Sequence, residues 1–169
     1  SVTVTGGTVD VADAAAIQGI SGYVDSTASS YDIVDSASAI VGATDAILNT
    51  GGVATVTVSG VATAAQGVAI DEFTKDVVFN VVDDAQDVID EMTAHNEIAS
   101  AQTITVSGVA TAAQGVAING FTKDVAFDVD SSADALATAI SGDSALLDEA
   151  GSVTVTGGTV DVADAAAIQ

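Results

Sequence analysis

The chain has 169 residues and a formal net charge of −22, with 24 acidic residues against two lysines and no arginine. That balance argues against nucleic acid and anionic membrane surfaces as partners, because both need cations that the chain lacks. Hydrophobic residues make up 49%, as in a folded chain rather than a disordered one, and the lack of cysteine removes disulfides, thiol catalysis and thiolate metal sites.

Residues 1–18 read SVTVTGGTVDVADAAAIQ. They predict an alternating strand, a turn or bulge at Gly6-Gly7, and a short helix. Ala12, Ala15 and Ala16 would let that helix lie close to a sheet. Tyr31-Asp32-Ile33-Val34 predicts the next strand, and Asp35-Ser36-Ala37 a helix start. Hydroxyl and carboxylate side chains accept hydrogen bonds from free amides there, and a carboxylate also suits the helix dipole.

Thr55 to Ser59 alternates polar and apolar residues with period two, as a strand does. Gly60 breaks it, and Val61, Ala62, Ala65, Val68 and Ala69 follow at helical spacing. Phe79-Asn80-Val81-Val82 predicts a strand, Asp83-Asp84-Ala85 a helix start, and Ala85, Val88, Ile89 and Met92 one helix face. From Thr103 the scheme returns: Phe127-Asp128-Val129-Asp130 as a strand, Ser131-Ser132-Ala133 as a helix start, and a helix to Ile140.

Two internal repeats govern this order. Residues 152–169 copy residues 1–18 letter for letter, at an offset of 151. The run TVTVSGVATAAQGVAIDEFTKDVVFNV from Thr55 recurs with few changes from Thr103, at an offset of 48. Val2, Val56, Ile104 and Val153 hold equivalent places. The chain is thus expected to be a single repeat array over 1–169, built of repeats 1–54, 55–102 and 103–151, with 152–169 opening the next. Such a pattern suits a stretch of a longer tandem-repeat protein.

Each repeat is β-α-β-α, or about 24 residues per strand-helix coil, within the 20–29 residues of leucine-rich-repeat coils. A five-residue strand spans about 17 Å and a ten-residue helix about 15 Å, so one coil goes up and back. The expected fold class is α/β: a tandem-repeat solenoid with its strands in one parallel sheet. A string of β-sandwich modules competes, but the Ala-rich segments are poor strand formers. No apolar run has transmembrane length, so membrane insertion is not expected.

The V-T-V-[ST]-G strands, the V-A-x-A-A helices and the aromatic-[DN]-aliphatic strands resemble repeat tracts of very large secreted bacterial surface proteins. These include cyanobacterial cell-surface giants and surface-layer adhesins. The resemblance is one of style and composition and covers nearly the whole chain. It implies a scaffold, adhesive or surface-layer role outside the cell. Many such giants carry G-G-x-G-x-D calcium nonapeptides. Gly6-Gly7-Thr8-Val9-Asp10 departs from that motif at its third glycine and in the place of its Asp, so that site is not carried over.

Catalytic constellations are missing. His95 is the only histidine, in a polar stretch that predicts exposure, and the sister repeats lack it. No G-K-[ST] follows the paired glycines. Lys75 and Lys123 share an F-T-K-D context and are expected to pair with a nearby carboxylate such as Asp76 or Asp124. No enzyme is expected and no cofactor is required. Asp83, Asp84 and Asp87, with Asp90 and Glu91, crowd one helix; Asp10 and Asp13 crowd another, copied at Asp161 and Asp164. Like charges one helical turn apart repel, and a hard cation such as calcium relieves that repulsion through oxygen ligands. Asp10, Asp13, Asp83, Asp84 and Asp87 are the candidate metal ligands, set against a plain solvated acidic face.

The expected function is an extracellular structural protein, forming part of a filament, surface layer or giant cell-surface scaffold. Its partners would be copies of itself, end to end, and divalent cations. The alternative is a calcium-dependent adhesin or binding module for a carbohydrate or ice surface. Its face would be the Thr3/Thr5, Thr55/Thr57, Thr103/Thr105 and Thr154/Thr156 pairs, although a solvent face lined with β-favouring residues is the stronger expectation for them.

Overall fold

The computed structural model describes residues 1–95, 98–157, 160 and 162–168. The protein is α/β, with parallel strands and short helices alternating along the chain. It divides into two compact units, residues 1–81 with 98–102, and residues 82–97 with 103–169.

The first unit holds a four-stranded sheet in the order β1 (Thr5–Val9), β2 (Ser30–Asp35), β3 (Val53–Val58), β4 (Val77–Val78). All its pairings are parallel. The helices α1 (Val11–Gln18), α2 (Ala37–Val41), α3 (Asp45–Leu48) and α4 (Ala64–Asp71) fill the connections. Strand partners lie one connection apart: Thr8 faces Asp32, Ile33 faces Val56, and Val56 faces Val77. The core comprises Tyr31, Ile33, Ile40, Leu48, Val56, Ile70 and Phe79, all essentially without solvent exposure. Each such side chain withdrawn from water contributes about 1.5–3 kcal/mol.

The second unit contains most of β5 (Val81–Asp83), followed by α5 (Ala85–Ala94), β6 (Ile104–Val106), α6 (Ala112–Asn119), β7 (Val125–Ala126), β8 (Val129–Ser131), α7 (Ala133–Gly142), α8 (Leu146–Glu149), β9 (Val153–Val155) and α9 (Val162–Ile168). Strands β5, β6 and β7 form one sheet, and β8 and β9 a second. Helix α6 packs against α5, α7 and α8. Val88, Met92, Ile104, Val129, Leu136 and Leu146 are buried here.

The 48-residue sequence repeat returns as a repeat of register. Val56 faces Val77 and Thr57 faces Val78; 48 residues on, Ile104 faces Val125 and Thr105 faces Ala126. Ala62 bridges Val81, as Ala110 bridges Val129. The expected helix starts also hold. Ser36, Asp84 and Ser132 are the N-caps of α2, α5 and α7, each accepting a backbone amide of the first turn. Ala85, Val88 and Met92 form the buried face of α5, with Ile89 half-buried beside them.

Three expectations are corrected. The strands form three small sheets of four, three and two strands rather than one continuous sheet. The expected strand at Phe79–Val82 is broken, because the backbone changes partner along it. Val77 and Val78 pair with β3, the Asn80 carbonyl accepts the Ala62 amide at 2.8 Å, and Val81 bridges Ala62. The same change separates β7 from β8, where the Ala110 amide donates to the Asp128 carbonyl.

The third correction concerns the phase of the Ala-rich helices. Helix α4 begins after Thr63, whose hydroxyl caps Gln66 while the Gln66 side chain returns to the Thr63 amide. Thr111 and Gln114 do the same for α6. These capping boxes leave Val61 and Ala62 outside the helix. They bury Ala64, Gly67 and Ile70 instead of Ala65, Val68 and Ala69. Likewise Ala14 is the buried residue of α1, while Ala12, Ala15 and Ala16 are exposed.

A mid-helix glycine normally weakens a helix, but here it makes room. A Cβ on Gly67 would lie 2.9 Å from Val81 Cγ2 and 3.2 Å from Ile98 Cγ2. On Gly115 it would lie 2.8 Å from Leu146 Cδ1 and 3.1 Å from Val129 Cγ2.

Candidate functional site

The densest chemistry lies at the start of α5, in the second unit. Asp83 ends β5 and Asp84 caps the helix, so the turn between them fixes both carboxylates. Asp83 Oδ1 accepts the Asp84 amide at 3.0 Å. Asp84 Oδ1 accepts the amides of Gln86 at 2.9 Å and Asp87 at 3.0 Å. This brings Asp87, one turn along, back over the cap. Carboxylate oxygens of Asp83, Asp84 and Asp87 all lie within 4.8 Å of one another. Asp83 is half-buried and the other two are exposed.

The repulsion is felt at Asp87. Its carboxyl is held above the usual carboxylate range, first by the charge of Asp84, then by partial desolvation, and then by Asp83, Asp90 and Glu91. Gln86 offsets a little of this by donating to Asp90 at 2.8 Å. Three carboxylates at this spacing offer hard oxygen ligands to a divalent cation.

The other predicted ligands do not gather in this way. Asp10 is the N-cap of α1, and its carboxylate accepts the Asp13 amide at 2.7 Å. Among the described residues, these two are joined by no third carboxylate at ligand spacing. Asp164 lies in the first turn of α9, and Asp161 lies outside the described residues.

The remaining candidates have structural places. His95 closes α5, with Nδ1 3.1 Å from the Glu91 carboxylate. Lys75 donates from Nζ to the Val53 carbonyl at 2.9 Å, a backbone partner in place of the expected carboxylate. Lys123 lines a small cleft with Asp124, Phe121, Phe127 and Glu149. Between α6 and α7 runs a groove of about 660 Å³ walled by Ala113, Val116, Ala135 and Ala139, with polar groups from Ser132, Asp134 and Thr138. Among the described residues its lining holds neither a lysine nor a histidine. Burial raises the affinity of the Tyr23 phenol for its proton, and its oxygen is enclosed beside Gly52.

Residues that sequence reasoning passed over tie neighbouring strands together. Asp32 accepts the Thr55 hydroxyl at 2.6 Å, Asp128 accepts the Ser152 hydroxyl at 2.6 Å, and Asp130 accepts the Thr156 hydroxyl. Asp35 accepts both the Ser36 amide at 2.7 Å and the Val11 amide at 3.1 Å, joining the starts of two helices. Exposed Thr55 of β3 and exposed Thr156 are therefore engaged by carboxylates rather than presented free. Recurrence of Asp32, Asn80 and Asp128 at 48-residue spacing was the available signal.

Comparison with family models, with curated proteins and with solved structures returned no match. No helix among the described residues is long and apolar enough to cross a membrane.

Proposed function

We propose that this chain is a segment of an extracellular structural repeat protein, wound as an α/β solenoid and stacked end to end in a filament, surface layer or giant cell-surface scaffold. One observation carries this: equivalent parallel pairings recur 48 residues apart, with each partner strand one strand-helix connection downstream. A chain that repeats its register in this way adds coils without changing its rules of contact. The resemblance to tracts of secreted bacterial surface proteins supports the setting.

The charge of −22 supports a role for counterions. Divalent cations, calcium first, screen the acidic face, and Asp83, Asp84 and Asp87 are where repulsion is most concentrated. The proposed role needs no catalysis and no resident cofactor.

Electron microscopy of the purified chain in millimolar calcium, and again in chelator, tests this. Stacking predicts long rods with an axial repeat near 29 Å, from six coils at about 4.8 Å each. Rods only with calcium would make the cation structural. Compact, monodisperse particles in both conditions would refute end-to-end stacking.

A further inference from the structure

We propose that Asn119-Gly120 is a self-modifying site, where the chain converts a side-chain amide to a carboxylate without enzyme or cofactor, at a rate held down by the contacts of these two residues. This goes beyond the stacking function above and does not depend on it.

The internal repeat singles out the pair. The runs Thr55–Val81 and Thr103–Val129 differ at five positions, and two of these are adjacent: Asp71-Glu72 in the first becomes Asn119-Gly120 in the second. The backbone does not require the glycine. Glu72 closes α4 at φ −77° and ψ −14°, and Gly120 closes α6 at φ −75° and ψ −10°, a conformation open to any residue. What the glycine changes is chemical. It has no side chain to obstruct the approach of its own amide nitrogen to the preceding Cγ. No other Asn-Gly pair occurs in the sequence.

In the reaction, the Gly120 nitrogen bonds to Asn119 Cγ and the Cγ–Nδ2 bond breaks. The Gly120 proton leaves with Nδ2, which departs as ammonia. Water then opens the cyclic imide. Entry at Cγ gives aspartate, and entry at the main-chain carbonyl gives isoaspartate. The net change is amide plus water to acid plus ammonia, with nothing oxidised or reduced.

The fold holds the two reacting groups apart. The Gly120 amide donates to the Val116 carbonyl at 3.2 Å and the Ala117 carbonyl at 3.3 Å. Asn119 Nδ2 donates to Asp143 Oδ2 at 2.7 Å, and Asp143 Oδ1 accepts the Ala145 amide at 3.1 Å, so this clamp is itself fixed. Water has access, because Asn119 is half-buried beside the cleft of Lys123, Asp124 and Glu149, and Gly120 is exposed. Attack therefore waits for the last turn of α6 to fray, as helix ends do.

The product does not close again in the same way. In α4 the equivalent carboxylate, Asp71, accepts the Ser100 amide at 3.1 Å. In α6 a carboxylate would meet Asp143, another acceptor, where a donor stood. Conversion thus replaces a tie between α6 and the end of α7 with repulsion between like charges.

Incubation of the full chain in heavy-oxygen water at mildly alkaline pH, followed by peptide mass spectrometry, tests this. Label should enter at Asn119 well ahead of Asn49 and Asn80, and Gly120→Ala should suppress it. Equal labelling of the three asparagines, or labelling unaltered by Gly120→Ala, overturns the proposal. Asp143→Ala should speed labelling of Asn119 by about ten-fold, the size expected for loss of a hydrogen bond to a charged group. Asp143→Asn keeps an acceptor oxygen and should speed it far less. No acceleration with alanine, or equal acceleration with both, overturns the clamp. Asn119→Asp, the ordinary product, should melt about 2–4 °C below the parent. An unchanged melting temperature overturns the loosening.

Discussion

The starts of α5 and α7 occupy the same place in their repeats and solve it with different chemistry. Asp83, Asp84 and Asp87 stand where Ser131, Ser132 and Ala135 stand 48 residues later. Both helices are capped by the second residue of the pair, Asp84 or Ser132, and both bury an apolar side chain one turn beyond it, Val88 in one and Leu136 in the other. The fold requires the cap and the apolar anchor. It does not require three carboxylates, because α7 starts without them. The acidic start is thus an addition to the scaffold, tolerated at the expense of repulsion on Asp87.

The anchor should break the comparison most strongly. Leu136→Ala is expected to lower unfolding free energy in urea by about 2–5 kcal/mol, and Val88→Ala by less, since fewer buried atoms are removed. Next come the notches. Gly67→Leu should cost about 1–3 kcal/mol, because the new side chain must displace Val81 and Ile98. A variant as stable as the parent would mean that α4 lies too far from those neighbours for the missing Cβ to matter.

The caps follow in size. Ser132→Ala and Asp84→Ala should each cost about 1 kcal/mol in the same assay. Asp84→Ser should be close to neutral, because it keeps the cap and removes the largest repulsion on Asp87. A loss as large as with alanine would show that the carboxylate does more than cap.

The smallest effect is electrostatic. The folded state raises the Asp87 affinity for its proton, so this group favours folding at low pH, and that contribution disappears as pH rises through its folded-state titration. Asp87→Asn should therefore raise the melting temperature at neutral pH by about 1–2 °C, with no gain once pH is low enough to protonate the carboxyl. High salt should shrink the difference.

The sequence marked the features that depend on neighbours along the chain. Ser36, Asp84 and Ser132 declare themselves as caps, and the 48-residue repeat locates the strands. The phase of α4 was also legible: Thr63-Ala64-Ala65-Gln66 is a capping box, and the apolar pair Val61-Ala62 before it drew the helix two residues too early. Other features depend on residues that meet only after folding. Nothing within Phe79-Asn80-Val81 shows that the backbone changes partner there, since the partners are on β3 and at Ala62. Lys75 finds a carbonyl 22 residues upstream rather than its sequence neighbour Asp76. At the acidic site, the crowding of Asp83, Asp84 and Asp87 could be read, but the dispersal of Asp10 and Asp13 into a lone cap could not.

The short span of the strand pairings also bears on how the molecule forms. Thr8 meets Asp32, Val56 meets Val77, Ile104 meets Val125 and Val129 meets Val153, so these pairings close loops of 21 to 24 residues. Such low contact order favours fast folding even in a parallel sheet. During synthesis, each strand can find its partner within seconds of the partner leaving the ribosome. Neither waits for residues far along the chain, and lengthening the chain by further repeats would leave that waiting time unchanged.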